Sequence, residues 1–203
     1  MSPTWLKDIT LEGQHVSLQP LTLDHRAALL DAANDGQLWK LWYTSVPGEH
    51  NIDAYLTAAL QDKHAGLALP FVVVDKHSGD IVGSTRYCNA VAKHRRLEIG
   101  YTWYANRVQR TALNTEAKLL LLTYAFEQLD CIAVEFRTHW HNTRSRAAIA
   151  RLGARQDGVL RNHILLDDGS ARDTVVFSIT NYDWPAAKRH LSFLLESRET
   201  TQA

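Results

Sequence analysis

"RRLEIGYTWYANRVQRTALNTEAKLLLLTYAFEQLDCIAVEFRTHW", residues 95–140, decides the fold. Arg95 to Ala105 is a long β-rich run in which Gly100 marks a bulge or a place of close backbone approach. Ala117, Leu120, Leu121, Tyr124, Ala125 and Leu129 then recur at the three- and four-residue spacing of one buried helix face. Cys131 to Trp140 returns to strand character. A helix that crosses between two strands implies a parallel step in the sheet. The connection from Asn106 to Asn114 carries Arg107, Arg110 and small polar residues straight to the helix N-terminus. Free backbone N–H groups and the positive end of the dipole converge there, so anion binding competes with an ordinary capped helix start.

Working outward, "PFVVVDKHSGDIVGSTRYCNA" (70–90) is a hairpin turning around Ser78-Gly79-Asp80. Before it, His15 to Leu21 alternates as a first strand, Thr22 caps a helix over Leu23 to Asp35, and a second helical run covers Asp53 to His64. Beyond Trp140, Ser145 starts a helix that Gly153 ends, and 157–180 forms a second hairpin at Asp168-Gly169. Tyr182 to Leu195 closes the chain as an amphipathic helix with Pro185 early. No linker, repeat or composition shift interrupts this order. The expectation is one α/β domain over residues 1–203, with a mixed, mostly antiparallel sheet flanked by helices and a C-terminal helix.

Hydrophobic residues make up 45% and charged residues 22% of the chain, the balance of a protein that buries a core. Lys+Arg and Asp+Glu both number 22, so net charge points to neither nucleic acid nor a membrane surface. Cys88 and Cys131 lie far apart in apolar runs and match no metal spacing. His139 and His141 resemble half a metal site, but no nearby carboxylate or thiol completes it, so no metal is expected. The first ten residues lack a basic start followed by an apolar run, and no apolar stretch reaches membrane length. A cytoplasmic location is expected.

Four short motifs occur in order: "EIGY" (98–101), "QRTALNTEA" (109–117), "NTRS" (142–145) with "RLGA" closing its helix, and "DGVLR" (157–161). Together they resemble the GNAT superfamily of acyl-CoA-dependent N-acyltransferases, in particular its RimJ/RimL-like branch. The likeness runs from about Gly83 to Trp184. It departs at Ala112 and Asn114, where the family's pyrophosphate loop has glycine, or glycine or alanine, and where a side chain crowds the backbone's approach to a phosphate.

The resemblance implies acetyl-CoA as cofactor, CoA as product and direct transfer to a primary amine, either a protein N-terminus or a small amine. It assigns Gln109, Arg110, Thr111, Ala112, Leu113, Asn114 and Thr115 to the pyrophosphate, with Lys118 one turn further in. The backbone of Thr102, Trp103 and Tyr104 would pair with the pantetheine amides, and Asn142 offers that arm a donor and an acceptor. Ser145, as helix N-cap or beside the leaving thiol, and a backbone N–H freed by a splay in the Glu98–Tyr104 strand complete the transfer site. Glu98 is the candidate base acting through water, with His163 and Asp157 in reserve. The aromatic-rich segment Leu38 to Pro47, with Trp39, Trp42 and Tyr43, would wall the acceptor pocket or pack in the core. Edge strands leave room for a homodimer. A non-catalytic acyl-CoA-binding or sensor module is the competing reading, motivated by the altered glycines.

Overall fold

The computed structural model of the chain describes residues 5–166 and 168–202, with side chains to residue 197. Its elements are β1 (Leu11–Glu12), β2 (Val16–Pro20), α1 (Arg26–Asn34), α2 (Ile52–His64), β3 (Leu69–Asp75), β4 (Ile81–Val91), β5 (Arg96–Tyr104), α3 (Leu113–Glu127), β6 (Ala133–His139), α4 (Thr143–Ala150), β7 (Arg155–Leu165), β8 (Ala171–Thr180) and α5 (Trp184–Gln202). Among the described residues the strands form one eight-stranded sheet in the order β1-β2-β3-β4-β5-β6-β8-β7. Every neighbouring pair is antiparallel except β5–β6, the step predicted from residues 95–140. The expected α/β fold is therefore the observed one, with the short β1 added.

Side-chain alternation sorts the helices onto two faces. Ser84 of β4 receives the Tyr55 hydroxyl of α2 (3.4 Å), whereas its neighbour-but-two Tyr87 donates to the Leu121 carbonyl of α3 (2.6 Å). Residues of opposite parity on one strand thus meet α2 on one side and α3 on the other. Phe71, Tyr87, Leu97, Leu121, Leu122 and Phe136 fill the layers between them and are fully enclosed. Burying each such side chain is worth about 1.5–3 kcal/mol.

The parallel step is short. β5 and β6 pair only at Arg96↔Ala133, Leu97↔Val134 and Glu98↔Glu135, and β5 then runs on to Tyr104 without a β6 partner. On its other side β5 keeps its bond to β4, but the register slips between Arg86↔Gly100 and Ser84↔Trp103, which leaves one extra residue on β5. Tyr101 absorbs it with φ +51, a left-handed conformation rare for an aromatic residue. The bulge predicted at Gly100 thus centres on its neighbour. Beyond Glu98 the two strands splay, and the wedge between them is open.

Polar residues inside α3 were not legible from the helix periodicity. Glu116 and Lys118 are both buried. The Glu116 carboxylate accepts backbone N–H bonds from Gln14 (2.7 Å), His15 (2.7 Å) and Val16 (2.8 Å). Gly13 leaves the room for this, since a Cβ there would lie 2.4 Å from the Glu116 Cδ. The start of α3 is thereby clamped to the β1–β2 turn.

Candidate active site in the splay of the sheet

A cavity of about 360 Å³ fills the wedge. Its walls come from β5 (Ile99 to Tyr104), β6 (Phe136 to His139), the start of α3 (Asn114, Lys118), α4 (Ser145, Ala148, Ile149) and the segment Leu38 to Val46 ahead of α2. Because α3 and α2 lie on opposite faces, this space opens to both sides of the sheet.

The α3 side holds most of the residues predicted for a cofactor. Gln109, Asn114, Lys118, Asn142, Ser145 and Thr102 to Tyr104 all line the cavity. Gln109 donates from Nε2 to the Tyr104 carbonyl (3.0 Å), which fixes the loop against the end of β5. Arg110 is exposed at φ +64, on the loop but outside the cavity wall. Thr111 folds back locally, donating to the Val108 carbonyl (2.7 Å) and accepting from the Leu113 N–H (3.3 Å). The helix begins at Leu113, with Ala112 as N-cap at φ −68 and no side-chain cap. Neither Ala112 nor Asn114 occupies a left-handed conformation, so the missing glycines cost the loop no backbone strain. Thr115 lies buried in the first turn, where its hydroxyl accepts from Arg151 Nη2 (3.1 Å), an internal bond rather than one at the loop surface.

Three groups on this wall are underpaired, the first being the Tyr104 hydroxyl, which is buried without a hydrogen-bond partner. The Asn114 Oδ1 is buried without a hydrogen-bond partner. Lys118 is enclosed with only Thr102 Oγ1 (2.6 Å) and Thr85 Oγ1 (3.3 Å) against its Nζ, and burial pushes its amine down to about 7. Lys118 therefore projects into the sheet, not toward the loop where a phosphate partner would stand.

Asn142, not Ser145, caps α4: its Oδ1 accepts the Ser145 N–H at 3.0 Å. The reading of Ser145 as N-cap is corrected by this geometry. Asn142 already sits at the turn out of β6, and Ser145 falls at the third helical position, where its hydroxyl is free of the capping task and borders the cavity.

The opposite, α2-side wall is strongly charged. Glu98 is buried on this face, bonded by Asn89 Nδ2 (2.8 Å) and approached by Arg137 Nε (3.5 Å), and burial raises its carboxyl above the usual range. Gly100, which lines the cavity, packs against this carboxylate, for a Cβ there would be 3.0 Å from Glu98 Oε1, while Glu98 itself lines a second, neighbouring cavity with Asn89, Arg96, Glu135 and Arg137. Arg137 also binds Glu135 (3.0 Å), which Arg96 holds from the other side (2.5 Å). His139 is buried, and its Nδ1 accepts the His141 backbone N–H at 3.0 Å. Burial lowers its pKa, so near neutrality the ring carries its proton on Nε2 and presents a donor, not a base. Trp42 stacks edge-on to His139 at 4.9 Å, beside the cavity-lining Tyr43 and Ser45, while Trp39 turns away to Asn34 (3.2 Å).

His163 and Asp157 lie outside this site. Both are exposed on the edge strand β7, His163 against Thr174 (3.1 Å) and Asp157 against Ser178 (3.0 Å). Arg172 was missed in the sequence; it reaches the cavity from the start of β8, and no motif marks it. Among the described residues no cluster of His, Cys, Asp or Glu could hold a metal ion, and no helix is long and apolar enough to cross a membrane.

This geometry meets its counterparts in known proteins. Residues 15–155 match the acetyltransferase (GNAT) domain family. The chain belongs to that family. Among curated relatives, the Escherichia coli [ribosomal protein uS5]-alanine N-acetyltransferase is 27% identical over 124 residues, 59% of this chain and 61% of that protein. The Bacillus subtilis protein YdaF is 30% identical over 112 residues, 55% of this chain and 60% of its own length. The match thus spans about three fifths of these relatives. A GCN5-related N-acetyltransferase from Brucella melitensis superposes with TM-score 0.82 at 28% identity, over 94% of this chain and 86% of that one. Mycobacterium smegmatis RimJ in complex with CoA-disulfide shares the fold at TM-score 0.77 and 24% identity, over 96% and 97% of the two chains. The RimJ/RimL-like resemblance and the acetyltransferase domain agree with these names.

Proposed function

We propose that the chain is an acetyl-CoA-dependent N-acetyltransferase that passes an acetyl group directly to a primary amine, with a polypeptide N-terminus as acceptor. The observation that carries this reading is the wedge itself. The unpaired edge of β5 from Ile99 to Tyr104 offers backbone donors and acceptors to the two amides of a pantetheine arm. The buried Asn114 Oδ1 lacks only a donor, which an amide N–H or hydroxyl of that arm supplies. The uncapped start of α3 suits a pyrophosphate, with Arg110 on the same loop. These residues fit CoA.

The chemistry divides between the two faces. At the bulge, Tyr101 and Thr102 have no register partner on β4 or β6, so a β5 backbone N–H there would meet a developing oxyanion. Ser145 on α4 donates to the departing thiolate. Glu98, its affinity for a proton raised by burial, takes the amine's proton through a water beside Gly100. His139 donates from Nε2 and holds the incoming group. An N-terminal acceptor is favoured because the E. coli relative is named for a ribosomal-protein alanine, and because Trp42 and Tyr101 leave apolar surface exposed at the rim. Residues 1–203 would act as one catalytic domain, and a homodimer and a cytoplasmic setting accord with this reading.

Incubation with acetyl-CoA and a panel of Ala- and Ser-initiated peptides and small amines, followed by thiol release, tests it. CoA binding with no thiol release for any amine would replace the enzyme with an acyl-CoA-binding module. Release with small amines alone would remove the polypeptide acceptor.

A further inference from the structure

We infer that the acceptor carries a carboxylate close to its reactive amine, and that Arg172 is the specificity residue that binds it. This inference rests on the acyl-transfer reading above. The charges on the α2-side wall do not cancel. Glu98 and Glu135 are the carboxylates of the cluster, and they are taken up by Arg137 and Arg96. Among the described residues two cations of this face form no ion pair: Arg86, enclosed against the Tyr55 and Tyr101 rings, and Arg172, which of the two is the one that lines the cavity, beside Tyr101 and His139. No described carboxylate forms an ion pair with Arg172, and its Nε is buried without a hydrogen-bond partner. The neighbouring Asp173 turns to the other face of β8 and is held by Arg161 (2.5 Å) and the Asn162 N–H (2.8 Å).

Glu98 attracts this half-buried guanidinium without forming an ion pair with it, and such a cation is costly unless a ligand supplies a closer partner. CoA's phosphates are the obvious anions, but their site is at the N-terminus of α3, on the opposite face of the sheet. Strand pairing fixes this: Arg172 shares its face with Thr174, Arg137 and His139, the face that Trp42 covers from the α2 side. The anion that meets Arg172 therefore arrives with the acceptor. A planar guanidinium matches a carboxylate by two parallel N–H bonds. In a polypeptide that carboxylate is an Asp or Glu side chain at the residue after the acetylated one; in a free amino acid it is the α-carboxylate.

The test uses matched acceptors: Ala-Asp- against Ala-Asn-initiated peptides, and alanine against alaninamide. In the unmodified protein the acidic member of a pair should have the higher kcat/KM by roughly ten- to a hundredfold, carried by KM. In Arg172→Gln that ratio should fall to about one, with Arg172→Lys between the two. The peptide pair responding identifies an acidic second residue, and the alanine pair responding identifies a free amino acid. Equal kcat/KM within both pairs, or a ratio that survives Arg172→Gln, overturns the inference. Loss of CoA affinity in Arg172→Gln would assign the guanidinium to the cofactor and also overturn it. Calorimetry of the same acceptors on the CoA-bound protein reads the charge preference even if no acetyl is transferred, so a failure of the acyl-transfer reading is seen separately.

Discussion

Glu116 and Glu98 are both buried carboxylates on neighbouring elements, and the protein satisfies them to opposite degrees. Glu116 accepts three backbone N–H bonds and closes the α3 start onto the β1–β2 turn. Glu98 has one amide donor and a loosely aligned arginine, and burial keeps its proton affinity high. On the Glu98 face stand the underpaired atoms of Arg86, Arg137 and Arg172, and across the wedge those of Tyr104 and Asn114. A fully bonded polar group holds structure together. An underpaired one inside a cavity wall is kept at a cost that only a ligand or a reaction offsets.

The sharpest way to break this contrast is to neutralise each carboxylate. Glu98→Gln keeps the shape and should lower turnover by roughly two to four orders of magnitude, with partial recovery as pH rises and more acceptor amine arrives neutral. Near-parental turnover with an unchanged pH profile would move Glu98 to the structural class. Glu116→Ala should instead strand three backbone donors and cost about 3 kcal/mol or more of stability, read as a lower urea midpoint. A stable Glu116→Ala protein would show that the clamp is dispensable.

Lys118 sharpens the comparison through pH. The unfolded side chain holds its proton to its ordinary 10.5, the folded one only to about 7. Between these values the unfolded chain binds more protons, so stability should climb as pH rises from about 7 toward 10.5. Lys118→Met should be the more stable protein at pH 7, and its advantage should shrink over the same window. A constant difference in urea midpoint across that range would refute the shift. Ser145→Ala, since Asn142 holds the cap, should lose roughly ten- to a hundredfold in turnover with stability little changed. The smallest effect belongs to Asn114→Ala, about 1 kcal/mol or some fivefold in CoA affinity by calorimetry, if its Oδ1 receives a donor from the bound arm.

The sequence made the element order, the parallel step and the cofactor-side residues legible, because hydrophobic period and loop motifs are local properties. Three features escaped it, each for a physical reason. The inward turn of Glu116 and Lys118 depends on partners about a hundred and about thirty residues away in the cases of Val16 and Thr85. Periodicity treats such residues as solvent-facing because it cannot see those partners. The choice between Asn142 and Ser145 as cap turned on the helix starting at Thr143, a boundary that both residues are chemically able to set. Arg172 entered the site through the β6–β8 pairing, so nothing in its own neighbourhood of the chain announces it.

The three-rung ladder between β5 and β6 has a mechanical consequence. On one side lie β1 to β5 and on the other β6, β8 and β7, each an antiparallel unit zipped by its own pairings. The seam joining them carries the fewest cross-strand bonds of any long-strand junction in the sheet, so partial opening of the native protein should begin there. A molecule seated in the wedge touches both units and acts as a rivet across that seam. Amide hydrogen exchange at Leu97, Glu98, Val134 and Glu135 should therefore slow when CoA is added, at residues the cofactor need not touch.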